Sequence, residues 1–285
     1  TTCLSELFVT VQVLTMHKSE SELSSIILKS LDRRGVATIT LNRPKVFNGY
    51  NKELLVQLRR VVNELEEDNA VRVIVLRGAG KHFSAGADGN WFKELAAASP
   101  EQKLEAARLS TGAMKDLNCC TKPTIALIHN ACFGGGTGYA AACDIVIASE
   151  DARFAITEVR VGITPAPILI QLVKAIGARQ MRRYALTAET FDVVQAKSIG
   201  LVHEICPVGG LDKAAASVID ALLRGGPIAI RDTKNLISEV GNSTLSDEVA
   251  ERLAGISAAG RGTNEGVEGF SAFLEKRIPD WYQVG

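Results

Sequence analysis

The residues of greatest chemical interest fall in two small-residue turns, His82-Phe-Ser-Ala-Gly-Ala-Asp88 and Phe133-Gly-Gly-Gly-Thr-Gly138. Each follows an apolar, β-like run and opens into a helical pattern. A turn of this kind leaves backbone N–H groups without intrahelical partners, aimed outward where the helix dipole favours negative charge. One such turn is a generic anion cradle. Two that converge can hold the charge that develops on a carbonyl oxygen, which is an oxyanion hole. Asp88 and Asp144, just past the turns, read most simply as helix caps or loop starters. His82 and His129 flank the turns and are either bases or solvated, capping residues. The glycine run could also be a dinucleotide turn, but Gly134-Gly-Gly-Thr-Gly138 lacks the G-x-G-x-x-G spacing and lies mid-chain. Glu158, between Thr157 and Val159, reads on its own as a solvated or salt-bridged loop residue.

The elements that must position these turns are legible from hydrophobic period. Val36–Leu41 and Val71–Leu76 are β-rich, and between them Leu54, Leu55, Leu58, Val61, Val62 and Leu65 keep helical spacing over 52–67. This β-α-β unit implies parallel strands and a right-handed crossover. Ser99-Pro-Glu-Gln102 predicts a capped helix with Pro at its first position, ending near Asn118. Pro123–Ile128, Ile145–Ile147 and Phe154–Ile156 read as further strands, with a small-residue helix around Tyr139–Cys143. Beyond Gly162 the pattern turns helical: Ile168–Ile176, Arg179–Leu186, Asp192–Ser198, Leu211–Arg224 and more to Arg277, with Leu201–Ile205 the one late strand-like piece. The expected organisation is an N-terminal extension over 1–25, an α/β core over 26–208 and a helical assembly region over 209–285. Met16 is the expected working start.

Composition narrows the partners. The chain has 285 residues, with 32 Lys and Arg balancing 32 Asp and Glu, which gives no reason to expect nucleic acid or an anionic membrane. No apolar run reaches the roughly 18 residues of a membrane span. Six cysteines show no paired Cys-x-x-Cys spacing, so no metal is expected. Residues 1–15 fit neither a secretory signal nor an Arg-rich transit peptide, and the expected location is cytoplasmic.

From about Ser25 to Trp281 the chain resembles the crotonase (enoyl-CoA hydratase/isomerase) superfamily. The resemblance rests on Leu41-Asn-Arg-Pro-Lys-Val-Phe-Asn48, Ser84-Ala-Gly-Ala-Asp88, Gly134-Gly-Gly136 leading to Ala142-Cys-Asp-Ile145, and Phe154-Ala-Ile-Thr-Glu-Val-Arg-Val-Gly162. Ala196-Lys-Ser-Ile-Gly-Leu-Val202 and Phe273-Leu-Glu-Lys-Arg277 complete the series in the family's order. It implies a spiral of β-β-α turns with a helical C-terminal trimerisation region, assembling as a homo-oligomer, a trimer or hexamer. The implied ligand is an acyl-CoA thioester. No separate cofactor is implied, because coenzyme A is part of the substrate.

By position the resemblance assigns the oxyanion donors to the backbone N–H groups of Ala87 and Gly135, and acid/base work to Glu158. It assigns substrate and CoA contacts to Lys45, Val46, Phe47, Ala85, Gly86, Asp88, Gly89, Asn90, Gly134, Gly138, and to Phe273 and Lys276 of a neighbouring or the same subunit. Asn90 stands where the family often has Lys, and Lys93 could substitute. The best-known enoyl-CoA hydratases use two glutamates, and the place of the first falls here on Gly138, which has no side chain to move a proton. The Gly-Gly-Gly-x-Gly pattern, Asn90-Trp91 and Ile163-Thr-Pro-Ala-Pro-Ile168 look most like bacterial hydratases of methylglutaconyl-CoA or isohexenylglutaconyl-CoA, which belong to leucine and terpene degradation. The implied activity is hydration of a branched glutaconyl-type 2-enoyl-CoA. The alternatives are a Δ3-Δ2 enoyl-CoA isomerase using Glu158 alone, or a catalytically reduced CoA-ester-binding protein. Glu94 is a candidate second acid. Arg153 and Arg160 are either surface charges or ligands for a distal carboxylate.

Overall fold

The computed structural model describes residues 25–241 and 243–283, so all but Ser25 of the expected N-terminal extension lies outside the described residues. Its strands are Ile27–Leu31 (β1), Val36–Leu41 (β2), Val73–Gly78 (β3), Thr124–Ile128 (β4), Ala131–Phe133 (β5), Ile145–Ser149 (β6), Arg153–Ala155 (β7), Phe191–Asp192 (β8) and Glu204–Cys206 (β9). The larger sheet runs β1-β2-β3-β4-β6-β9. Only the β1–β2 pair in it is antiparallel, with Ile27 opposite Leu41. Val36 lies opposite Val73 in the parallel β2–β3 pair, as the β-α-β reading requires. The smaller sheet, β5-β7-β8, carries the glycine run at one end of β5.

Side-chain alternation divides the core between the two faces of the larger sheet. Ala37, Ile39, Ile74, Leu76 and Ala126 pack with Lys52–Glu67 (α1), while Val36, Val73, Val75, Ile125, Leu127 and Ile147 pack against a late helix. In α1 the six apolar residues of the expected stripe are all buried. Asn51 caps this helix by accepting the Leu54 N–H at 3.0 Å. Gly89–Ala97 (α2) and Pro100–Cys119 (α3) follow β3. The capping box at α3 is present, with Ser99 accepting the Gln102 N–H and the Gln102 side chain accepting the Ser99 N–H. Gly135–Ala142 (α4) is short and almost wholly buried, which its Gly, Ala and Tyr composition allows.

The helical patterns expected over 168–176 and 179–186 form one element, Leu169–Thr187 (α5), broken at Gly177, whose φ of 75° and ψ of 154° leave the helical region. Val193–Ser198 (α6) is capped by Asp192. The late strand lies at 204–206 rather than at 201–205, because Leu201 and Val202 are held by N–H donation to Ala196 O. Leu211–Arg224 (α7) covers the second face of the sheet through Leu211, Ala215, Ile219 and Leu223. Pro227–Val240 (α8) and Asp247–Arg261 (α9) bury none of their residues, and Asn264–Glu275 (α10) buries only Ala272. No described helix is long and apolar enough to cross a membrane.

Candidate active site

Backbone hydrogen bonds lace the first turn between the Phe47–Tyr50 loop and β5. Ala85 N–H donates to Phe47 O at 3.0 Å, Tyr50 N–H to Gly86 O at 2.9 Å, and Asp88 N–H to Tyr50 O at 2.9 Å. On the other side Ser84 N–H donates to Ala131 O and Phe133 N–H donates to Ser84 O. Asn48 pins the loop from beneath, its amide donating to Ala79 O and His82 O. The two turns therefore meet. A Cβ on Gly86, at φ +96°, would lie 3.2 Å from Phe133 O, and one on Gly136 would lie 2.9 Å from Ser84 O, an approach only glycine permits. The N–H groups of Ala87 and Gly135 are absent from these backbone bonds among the described residues, whereas Asp88 and Gly134 spend theirs on Tyr50 O and Ala155 O. The free pair comprises the two assigned to the oxyanion hole.

Glu158 stands beside this pair. It opens the 3-10 turn Glu158–Val161 after β7, and a Cβ on Gly134 would lie 3.3 Å from its Oε1. Its Oε2 is buried and accepts no hydrogen bond among the described residues. Burial pushes the carboxyl above its ordinary pKa, and the backbone N–H groups of Glu158 and Thr157 offset this only in part. A carboxyl shifted upward in this way holds its proton to higher pH than an exposed one. It opens on a cavity of about 840 Å³ with a mainly apolar wall. Tyr50, Trp91 and Phe92, then Leu95, Ala106 and Met114, and the Val161–Ile168 loop surround the space between Glu158 and the two turns. Ala85, Gly86, Ala87, Gly134 and Gly135 all line it, as expected.

Several expected contacts lie elsewhere. Gly138 does not line the cavity: a Cβ there would sit 2.1 Å from Ile168 Cγ2 and 3.0 Å from Met114 Sδ, so these side chains fill the place of the family's first glutamate. Glu94 is exposed on α2 and outside the cavity wall, while Phe92 and Leu95 of the same helix line it. Asp88 is structural. Its carboxylate caps α2 through the Asn90 N–H at 2.8 Å and pairs with Arg43 at 2.7 Å. Burial raises its pKa, but the Asn90 N–H and the Arg43 guanidinium outweigh that and hold it below the usual carboxylate range.

Lys45, Val46 and Phe47 form an exposed turn beside Ala85, and Gly89 and Asn90 are exposed at the start of α2. None of the five lines the cavity. Phe273 instead lines a separate cavity of about 550 Å³ with Phe270 and Trp281, and Lys276 caps the end of α10. Within one chain these two residues are not brought to Glu158. His82 Nδ1 accepts the Ala131 N–H and the His129 ring bonds to Gly80 O, so both histidines brace the turns. Arg153 donates to Glu150 O and Ala152 O, away from the cavity, but Arg160 lines it. Lys103 and Tyr50 line the cavity as well and went unnoticed in the sequence, since a lysine on a helix and a tyrosine in a loop carry no periodic signal.

Two amides free of backbone hydrogen bonds among the described residues and a buried carboxylate thus line one mainly apolar cavity. The family model for enoyl-CoA hydratase/isomerase matches residues 31–284, and the chain belongs to that family. It is 33% identical over 265 residues to the 2,3-dehydroadipyl-CoA hydratase of Escherichia coli K12, covering 91% of this chain and 99% of that one. It is 32% identical to the short-chain-enoyl-CoA hydratase of Clostridium acetobutylicum, over 90% of this chain and 97% of the other. An enoyl-CoA hydratase structure from Shewanella pealeana superposes with a TM-score of 0.87 at 34% identity, covering 93% of this chain and all of the other. The expected crotonase fold is present.

Proposed function

We propose that the chain is a hydro-lyase that adds water across the double bond of a 2-enoyl-CoA thioester, and that its acyl group is of the branched glutaconyl type. The observation that carries the hydration reading is Glu158, buried beside Gly134 with an unpartnered Oε2, next to the two free amides. The thioester oxygen binds the Ala87 and Gly135 N–H groups. Glu158 takes a proton from water as the water oxygen bonds to C3 and the C2–C3 π pair moves onto the thioester oxygen. The two amides stabilise that enolate, and Glu158 then returns the proton to C2.

The glutaconyl reading rests on Lys103 and Arg160. They are the basic side chains of the cavity wall among the described residues, and both are exposed. In a mainly apolar pocket they suit a distal carboxylate, Arg160 in bidentate fashion. The Escherichia coli relative's name also denotes a dicarboxylic acyl group. Incubating the protein with crotonyl-CoA, 3-methylglutaconyl-CoA, isohexenylglutaconyl-CoA and a 3-enoyl-CoA, and reading products by mass and chromatography, tests both parts. Water addition favouring the carboxylated thioesters supports the reading. Conversion of the 3-enoyl-CoA without any hydration would replace it with an isomerase, and binding without turnover would leave a CoA-ester-binding protein. We further propose that the unburied helices after Gly209 assemble the chain as a trimer or hexamer.

A further inference from the structure

We propose that the Tyr50 hydroxyl, which shares the cavity wall with the Glu158 carboxylate, holds the water that adds to the enoyl double bond. This rests on the hydratase reading above and supplies the second polar anchor that Gly138 cannot. The two groups flank adjacent glycines: the carboxylate abuts Gly134, while a Cβ on Gly135 would fall 2.4 Å from Tyr50 Cε1 and 2.9 Å from its hydroxyl. The phenol is thus held next to the oxyanion amide. Its placement is set by the backbone that aims that site, because Tyr50 N–H and O bond to Gly86 O and Asp88 N–H. Edge-on contacts with Trp91 at 5.7 Å and Tyr139 at 6.1 Å fix the ring.

The other hydroxyls of the wall are placed differently. Ser110 spends its proton on Ala106 O, Thr157 lies beside Glu158 against Gly134, and Thr164 is exposed on the loop after Val161. Burial, and secondarily the Glu158 charge, raise the Tyr50 pKa, so the phenol stays protonated and acts by hydrogen bonding rather than as a base. A water between the two groups gives one proton to Glu158 Oε2 as its oxygen bonds to C3. The other stays on the product hydroxyl, and Tyr50 keeps its own throughout. A catalytic carboxylate with one water partner leaves that water free to rotate, and a second anchor fixes its lone pair on C3.

Tyr50→Phe removes the hydroxyl and keeps the ring. Hydration kcat should fall about 10–100-fold, the loss of one hydrogen bond at a charged centre. Exchange of the C2 protons of butyryl-CoA with D2O, which needs Glu158 and the oxyanion amides but no added water, should stay within about threefold of wild type, as should butyryl-CoA binding. Trp91→Phe, which loosens the ring's packing and leaves the hydroxyl, should instead lower both rates together. Hydration by Tyr50→Phe within about twofold of wild type overturns the Tyr50 assignment alone, and so does a parallel fall of hydration and exchange. A wild-type protein that exchanges but hydrates no enoyl-CoA overturns the hydratase reading and this assignment with it.

Discussion

Glu158 is the one acidic side chain of the cavity wall, and its environment sets two opposite pH trends. Burial raises its pKa in the folded protein, so the protonated form favours folding: the stabilisation is complete below the unfolded value and is lost as pH rises through the folded one. Catalysis needs the ionised form, so kcat should rise over the interval in which stability declines. Glu158→Gln should lower turnover about 10²–10⁴-fold with CoA-ester binding retained. It should also raise the melting temperature at pH 8 but not at pH 4. Thermal melts and a pH–rate profile check both, and a Gln variant retaining most turnover would sink the acid/base assignment. Gly138 makes a separate claim. Gly138→Ala should cost about 1–3 kcal/mol by overpacking against Ile168. Combined with Ile168→Ala it should cost less than the two single losses added, as read by denaturant unfolding. At the substrate's far end, Arg160→Ala should lower kcat/KM on a glutaconyl thioester about tenfold and leave crotonyl-CoA unchanged.

At the scale of elements, the site depends on where α2 begins. Asp88 both caps that helix and holds Arg43, which in turn donates to Gly49 O in the loop carrying Tyr50. Asp88→Asn keeps a cap acceptor and should destabilise less than Asp88→Ala, which loses the cap as well, a difference of about 1 kcal/mol by denaturant unfolding. Elements with a strong period were legible in the sequence: Val36–Leu41, Lys52–Glu67 and Leu211–Arg224 have the expected bounds. The short strands Ile27–Leu31 and Ala131–Phe133 were not, because what makes them strands is a backbone partner distant in sequence. The site shows the same division. The glycine turns and Glu158 could be placed by motif. Tyr50, Lys103 and the Ile168 plug could not, since each reaches the cavity only once the Phe47–Tyr50 loop, α3 and the 163–168 loop have packed on one another.

The whole molecule leaves its C-terminal helices unfinished. Ile237, Leu245, Val267, Phe270, Phe273 and Leu274 are exposed in this region, the kind of apolar side chains an assembly would cover. Sedimentation at micromolar concentration should give three or six times the 30.5 kDa of one chain, and a monomer alone would refute the assembly proposed here. The chain holds two tryptophans, and the fold assigns one to each cavity: Trp91 to the wall beside Glu158, Trp281 to the C-terminal cavity with Phe273. Their emission therefore reports on two events that share no residues. An acyl group entering beside Trp91 should change one fluorophore's surroundings, and the proposed association over the C-terminal helices should change the other's. With Trp91→Phe the remaining light should follow assembly, and with Trp281→Phe it should follow occupancy, so a single unlabelled sample can be watched filling and associating on separate clocks.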